Sequence, residues 1–367
     1  MKRSDAAVAA EPRRLAQRAQ RRVRLSVASQ AMEGSILEPV VDGRRFVNFC
    51  SNDYLGLAAD PRLVEAMRRA AGDGGVGSGA AHLVTGHTAE HHALEEELAD
   101  FTGREAALLF STGYMANVGV VTALADRGEV VLQDRLNHAS LIDGSRQSGA
   151  RLLRYAHADA AAAAQLGAAH ADSLVLLATD GVFSMDGDIA PLRGLAATAR
   201  SHGAWLLVDD AHGFGVLGAH GAGSIEAAGL TPAEVPLMVG TLGKACGTFG
   251  AFVAGDRDVI DLILQRARSY IYTTRVAAAV AAATRASLAI LRTESWRRER
   301  LVELIARFRA GAACRQLPVA VSSTPIQRYS WQAQHAASRP ASCSRNTASG
   351  SVRSAIPLCP PVRSGCA

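Results

Sequence analysis

Cysteine is scarce, with six in 367 residues. Cys50, Cys246 and Cys314 stand isolated, and Cys343, Cys359 and Cys366 crowd the last stretch. So thin a set makes no disulfide framework, and reduced thiols are the expectation. No C-x-x-C pair is present, and no metal is assigned. Charge of one sign is also lacking: the net balance is +5, and the arginines are scattered outside the N-terminal stretch. That excludes the strong basic footprint of a nucleic-acid binder, while a mildly basic surface suits an anionic substrate. Apolar stretches of membrane-spanning length are missing as well. The Ala-rich run from Val276 to Leu291 is broken by Arg285, and the N-terminus has no apolar signal core. The expectation is a cytoplasmic protein with no membrane and no nucleic acid among its partners. Arg13, Arg14, Arg18, Arg21, Arg22 and Arg24 read as a solvated basic helix, with a transit peptide as the alternative.

A hydrophobic share of 49% with 20% charged residues describes an enzyme-sized globular chain. Its length suffices for one large domain and a smaller one. Residues 1 to about 30 read as a helix with an Arg-rich face. Val40–Val47 reads as a hairpin turning on Asp42-Gly43. Pro61 opens a helix at its first position. A glycine-rich loop, Gly72 to Gly79, precedes a helix whose Leu94, Leu98 and Phe101 share a face, with Glu95, Glu96 and Glu97 mostly turned away.

From there strands and helices alternate. Ala106–Phe110, Glu129–Leu132, Arg151–Tyr155, Ser173–Ala178 and Trp205–Val208 read as strands. Near-continuous apolar strands alternating with helices predict a mainly parallel sheet covered on both faces. In such sheets ligands sit beyond the carboxyl ends of the strands. Four polar clusters follow strands here: Ser111-Thr-Gly-Tyr114, Asn137-His-Ala-Ser140, Asp180 to Gly187, and Asp209-Asp-Ala-His-Gly213. Position gathers them at one sheet edge.

Lys244 lies in Val239-Gly-Thr-Leu-Gly-Lys-Ala-Cys-Gly-Thr-Phe-Gly250, whose glycines let backbone and a flat ligand approach an amine. Lysine forms Schiff bases with carbonyl compounds once its surroundings lower its pKa. A Ser-Thr-Gly turn into a helix offers backbone N–H groups and a positive dipole end to a phosphate, although Gly113 and Tyr114 equally suit plain turn chemistry. Asp209, at the end of a buried strand, reads as a partner for a protonated ring nitrogen or as a helix cap. His212 reads as structural or as part of the site, and His138 can stack on a flat ring. Amine, phosphate cup, anion and flat partner together are what pyridoxal phosphate requires.

Six segments carry a resemblance. They are Ser51-Asn-Asp-Tyr-Leu-Gly-Leu57, Leu136-Asn-His-Ala-Ser140, Gly181-Val-Phe-Ser-Met-Asp-Gly-Asp188, Val208-Asp-Asp-Ala-His-Gly213, and Thr241-Leu-Gly-Lys244 with Tyr270-Ile-Tyr-Thr-Thr274. The chain resembles the α-oxoamine synthases, fold-type I pyridoxal-phosphate enzymes, from about residue 15 to about residue 327. The resemblance implies an α/β fold with a large cofactor-binding domain over 48–275. A smaller domain would come from the N-terminal segment 1–47 and a C-terminal part beginning at 276–327. It implies a C-acyltransferase with Lys244 bonding the cofactor and shuttling the Cα proton, Asp209 on the pyridinium, and Ser184 and His212 around the ring's phenolic oxygen. His138 would stack on the ring and face substrate. Gly113, Tyr114 and Thr241 would hold the phosphate, Thr274 would reach a neighbouring subunit's phosphate, and Arg22 would bind substrate. Asp186-Gly-Asp-Ile-Ala-Pro-Leu192 and Asp209 to Leu217 resemble the branch that condenses L-alanine with a pimeloyl thioester, on coenzyme A or a carrier protein, in biotin biosynthesis. A homodimer with sites at its interface is implied. Glycine-using sister enzymes, and a relative that holds the cofactor without turnover, are the alternatives.

Beyond Arg328 the composition departs from the family. Ser, Arg, Pro and Cys dominate over residues 328–367, and no helix or strand period survives. Such a segment buries too little apolar surface to offset its ordering entropy, and it reads as a disordered tail or one translated out of frame.

Overall fold

The computed structural model describes residues 27, 29–33, 36–41 and 43–329. They fall into two units, 27–51 and 52–329. In the first, β1 (Ser29–Glu33) and β2 (Ile36–Val41) pair antiparallel, and β2 turns through Gly43 (φ 72°) into β3 (Arg44–Arg45). The hairpin expected over 40–47 is there. The N-terminal helix up to 26, with Arg22, lies outside the described residues, while Ser29–Glu33, at the far end of that expected helix, is strand.

The second unit is built on a seven-stranded sheet. Its members are β4 (Ala106–Phe110), β5 (Val130–Asp134), β6 (Arg151–Tyr155), β7 (Leu174–Asp180), β8 (Trp205–Asp209), β9 (Leu237–Thr241) and β10 (Ala251–Gly255), in the order β4-β10-β9-β8-β7-β5-β6. The pairs among β9, β8, β7, β5 and β6 are parallel. β10 is antiparallel to both neighbours, so β4 runs with the rest. Sequence alone does not single out this reversed strand, because its Ala-Phe-Val-Ala-Gly run carries no signal of direction.

Successive strand residues enter opposite cores, as the two-residue side-chain period demands. Ala107, Leu109, Leu206, Val208, Phe252 and Ala254 join one core. Leu108, Phe110, Leu207, Val239, Ala251 and Val253 join the other. The first core is covered by α1 (Pro61–Gly74), α2 (Ala89–Phe101), α6 (Leu192–Ser201) and α10 (Ala278–Thr293). The second is covered by α3 (Gly113–Leu124), α4 (Ala139–Ser148) and α8 (Arg257–Arg266). Leu98 and Leu206 are fully buried, and each such side chain contributes ~1.5–3 kcal/mol relative to exposure.

Local chemistry sets the helix ends. Asp159 caps α5 (Ala160–Ala169) by accepting from Ala162 N–H, and Thr112 caps α3 by accepting from Met115 N–H. α1 runs on to Gly74, into the stretch expected as loop, and a π-helical turn forms at His82–Gly86. Glu95 departs from expectation too: it turns inward and accepts Leu109 N–H at 2.9 Å, satisfying a backbone donor of β4. α11 spans Trp296–Cys314. Among the described residues no helix is long and apolar enough to cross a membrane. Cys50, Cys246 and Cys314 carry free thiols. The expected aberrant tail, residues 328–367, lies outside the described residues except for Arg328 and Tyr329.

Candidate active site

Because β4, β5, β7, β8 and β9 run the same way, the turns that follow them open on one edge of the sheet. A cavity of about 190 Å³ lies there. Gly113, Tyr114, His138, Ser184, Asp209, His212, Thr241 and Lys244 all line it. Every predicted cofactor residue except Thr274 is therefore in one place. Thr274 is exposed and does not line this cavity; its carbonyl accepts the Ser111 hydroxyl at 3.2 Å, just before the α3 turn.

Gly113 and Tyr114 begin α3, and among the described residues their N–H groups meet no acceptor. A Cβ added at Gly113 would lie 2.8 Å from Thr241 Cγ2, so only glycine lets the helix start sit this close to the end of β9. The two unengaged donors and the positive helix end make an anion cup.

Asp209 ends β8 and is 6% exposed. Its Oδ2 accepts Asn117 Nδ2–H at 2.5 Å and its Oδ1 accepts Ala211 N–H at 3.1 Å. Each oxygen retains a lone pair, which leaves the carboxylate oriented and able to accept one more N–H. Asp180 ends β7 as the register partner of Asp209. Burial and the charge of Asp209 push its carboxyl well above the usual range, and it accepts the backbone N–H of His138 at 3.1 Å. His138 Nδ1 lies 2.7 Å from the Ser140 hydroxyl, and the exposed imidazole borders the cavity.

Lys244 follows β9 in the loop leading to β10. Gly247 (φ 67°) lets this loop press against Leu57–Ala58, where a Cβ would lie 2.4 Å from Ala58 N. Lys244 Nζ is 2.8 Å from His212 Nε2, and His212 Nδ1 is 2.7 Å from the Tyr54 hydroxyl. Burial lowers the Lys244 pKa, opposed by the charges of Asp209, Asp180 and Asp210. Burial, then Lys244, then His138 take His212 down to about 3, so its imidazole is neutral at physiological pH.

Ser184 sits in the loop Gly181–Gly187, which is fastened from two sides. His157 bridges Asp134 Oδ1 at 3.0 Å and Asp188 Oδ2 at 2.7 Å. The Gly187 carbonyl accepts the hydroxyls of Ser322 and Thr324, and Asp186 pairs with Arg328.

Sequence reasoning missed Tyr54, Asn117, Asp180 and Ala211 as site residues. Asn117 had a signal, since it lies four residues after Gly113 and so faces the same way on α3. Tyr54 had none beyond its motif, because its contact with His212 spans 158 residues.

The donor set fits pyridoxal phosphate: an anion cup, a buried carboxylate with an open lone pair, an amine of lowered basicity, and a buried Asn117 Oδ1 without a partner. Comparisons agree. Residues 44–338 match the family model for class I and II aminotransferases. The chain is 62% identical over 291 residues to the 8-amino-7-oxononanoate synthase of Methylococcus capsulatus, covering 78% of this chain and 74% of that one. It is 60% identical over 286 residues to that of Alkalilimnicola ehrlichii, covering 78% and 73%. Among solved structures, serine palmitoyltransferase from S. paucimobilis with bound PLP–myriocin superposes with TM-score 0.80 at 30% identity, covering 87% of this chain and 80% of that one. The 8-amino-7-oxononanoate synthase of Francisella tularensis does so with TM-score 0.68 at 32% identity, covering 77% and 80%. The chain thus belongs to the class I and II aminotransferase family and, within it, to the pyridoxal-phosphate-dependent 8-amino-7-oxononanoate synthases.

Proposed function

We propose that this chain joins L-alanine to a pimeloyl thioester with loss of CO₂ and the thiol, giving 8-amino-7-oxononanoate, and that the residues lining the cavity carry the reaction. The observation that carries this reading is the convergence of Lys244, Asp209 and the Gly113–Tyr114 cup on one cavity, in a chain 62% identical to a synthase of that name.

The cup and Thr241 would hold the cofactor's phosphate, Asp209 would accept its ring N–H, and His138 and Ser184 would flank the ring. When bound, pyridoxal phosphate supplies a pyridinium that delocalises the electron pair left at the alanine Cα. Asp209 favours the protonated ring because it is anionic, buried and held on both oxygens. Lys244 is the amine that keeps the cofactor in place. Its lowered pKa leaves the free Nζ lone pair available to take the Cα proton. A positioned base of this kind contributes ~10²–10⁴-fold in rate. His212, neutral and 2.8 Å away, accepts a hydrogen bond at Nε2 from that amine while it carries the proton. Arg22 is assigned to the substrate carboxylate.

The chain works as a homodimer in this reading, with Thr274 completing a neighbour's phosphate cup. Its exposure, and that of Val84 and Tyr272, support a surface for a second copy. Purified protein is expected to be yellow and to release thiol and CO₂ from alanine plus pimeloyl thioester. Lys244→Ala loses both. A colourless wild type rejects the cofactor assignment, and turnover faster with glycine than with alanine rejects the substrate.

A further inference from the structure

Four histidines, His82, His87, His91 and His92, lie around the start of α2, away from the cavity. They differ in what their nitrogens do. His91 is fully engaged: Nδ1 meets the Thr88 hydroxyl at 2.7 Å and Nε2 meets the Val276 carbonyl at 2.8 Å. His82 stacks on Tyr270 at 5.2 Å, and its Nδ1 lies 3.1 Å from His87 Nδ1. A hydrogen bond between the two Nδ1 atoms in which His87 donates leaves the lone pair of His87 on Nε2. That atom faces Glu95 Oε2 at 3.8 Å, too far for a hydrogen bond.

Glu95 is a built component. Its side chain is 13% exposed, and its Oε1 is fixed by Leu109 N–H, while its Oε2 accepts no hydrogen bond among the described residues. His92 and Glu95 are three apart on α2 and so project to the same side. One ligand atom from each of His87, His92 and Glu95 lies within 4.8 Å of the others. Ligands about 2.1 Å from a tetrahedral ion are about 3.4 Å apart, so the triad needs only a modest swing. His92, 66% exposed and otherwise 3.5 Å from the exposed Glu96 carboxylate, has the freedom to supply it.

We propose that His87, His92 and Glu95 form a binding site for a divalent transition metal of the Zn²⁺ class. Two imidazoles with one carboxylate suit zinc and leave a fourth position open, whereas Mg²⁺ and Ca²⁺ prefer all-oxygen sets. The His82 ring is the outer partner that fixes the His87 tautomer. The metal fastens the segment before α2 to the helix and, through Glu95, to Leu109 at the end of β4 that leads to the cup. The site does not depend on the proposed reaction.

Holoenzyme stripped with chelator and titrated calorimetrically with ZnCl₂ tests this. One saturable site is expected, with a Zn²⁺-dependent rise in Tm and no response to MgCl₂. His92→Gln, at an exposed position outside the catalytic cavity, weakens Zn²⁺ at least about 10-fold and leaves metal-free activity unchanged. His87→Gln does the same. The proposal is overturned if Zn²⁺ gives no saturable heat, or if the His87→Gln/His92→Gln double variant binds it like wild type.

Discussion

His212 Nε2 stands 2.8 Å from Lys244 Nζ, and this contact makes the lysine's charge visible two residues away in space. When Nζ is an ammonium it donates to Nε2, so His212 Nδ1 carries the hydrogen and donates to the Tyr54 oxygen; Tyr54 then donates to Asn52 Oδ1, 3.3 Å off. When Nζ is a neutral amine its lone pair can accept, so Nε2–H is free to donate to Nζ while Tyr54 donates to Nδ1. The tyrosine hydrogen therefore switches acceptor in step with the lysine.

Tyr54→Phe removes that switch while leaving Lys244, Asp209 and the cup in place. The expected result is retained yellow colour, unchanged KM for alanine, and kcat reduced ~2–10-fold, the worth of one net hydrogen bond. Unchanged kcat would show that the contact only packs.

The pH dependence of kcat follows from the burial of Lys244, which lowers its pKa from 10.5. The base is its deprotonated form, so kcat rises with pH and reaches its plateau below the ordinary lysine range. A pH–rate profile still climbing above pH 10.5 would contradict this assignment.

Gly113 and Thr241 should respond as a pair. Gly113→Ala places a methyl 2.8 Å from Thr241 Cγ2, pushing the helix start off the strand end, and is expected to weaken cofactor binding severalfold in a fluorescence titration. Thr241→Ser deletes the opposing methyl, so the double variant recovers most of the loss. Additive losses would mean that the clash is not the cause.

Asn117→Ala strips Asp209 of its 2.5 Å donor. Hydrogen bonds to charged groups are worth ~1.5–3 kcal/mol, and an enzyme with a looser Asp209 should bind pyridoxal phosphate about 10-fold more weakly. Affinity equal to wild type would argue that Ala211 N–H alone orients the carboxylate.

His157 ties stability to pH. Burial opposes its charge, but the hydrogen bond and charge of Asp134, together with Asp188, outweigh it and raise its pKa above 6.5. The folded state thus holds the proton more tightly than the unfolded chain. The stabilisation is complete below 6.5 and fades as pH rises through the folded value. The Tm gap between wild type and His157→Gln is expected to be widest near about pH 6 and to close at alkaline pH. A gap that widens with pH would overturn the ion-pair reading.

Much of the site was legible because strand ends are legible: apolar runs stop at Phe110, Val208 and Val239, and polar residues follow each one. Position after a strand was enough to bring Gly113, His138 and Asp209 together, and Lys244 joined them through its amine chemistry. The inward turn of Glu95 was hidden because three glutamates in a row look like a solvated face, and only the Leu109 backbone donor tells them apart. Tyr54 was hidden because nothing local links it to His212. The strand Ala251–Gly255 was overlooked because five small and apolar residues state neither direction nor neighbours.

That strand has a consequence for the order in which the protein can be made. β10 is the last of the sheet's strands along the chain, yet it lies between β4 and β9. It separates the strand that delivers the cup from the strand that delivers Lys244 by two strand spacings, roughly 9.5 Å. Until synthesis has passed Gly255 the sheet lacks the strand that joins β4 to β9, and the two halves of the cofactor site have no common frame. The enzyme's chemistry is thus assembled by a late insertion, and a nascent chain has no cofactor pocket to fill before it.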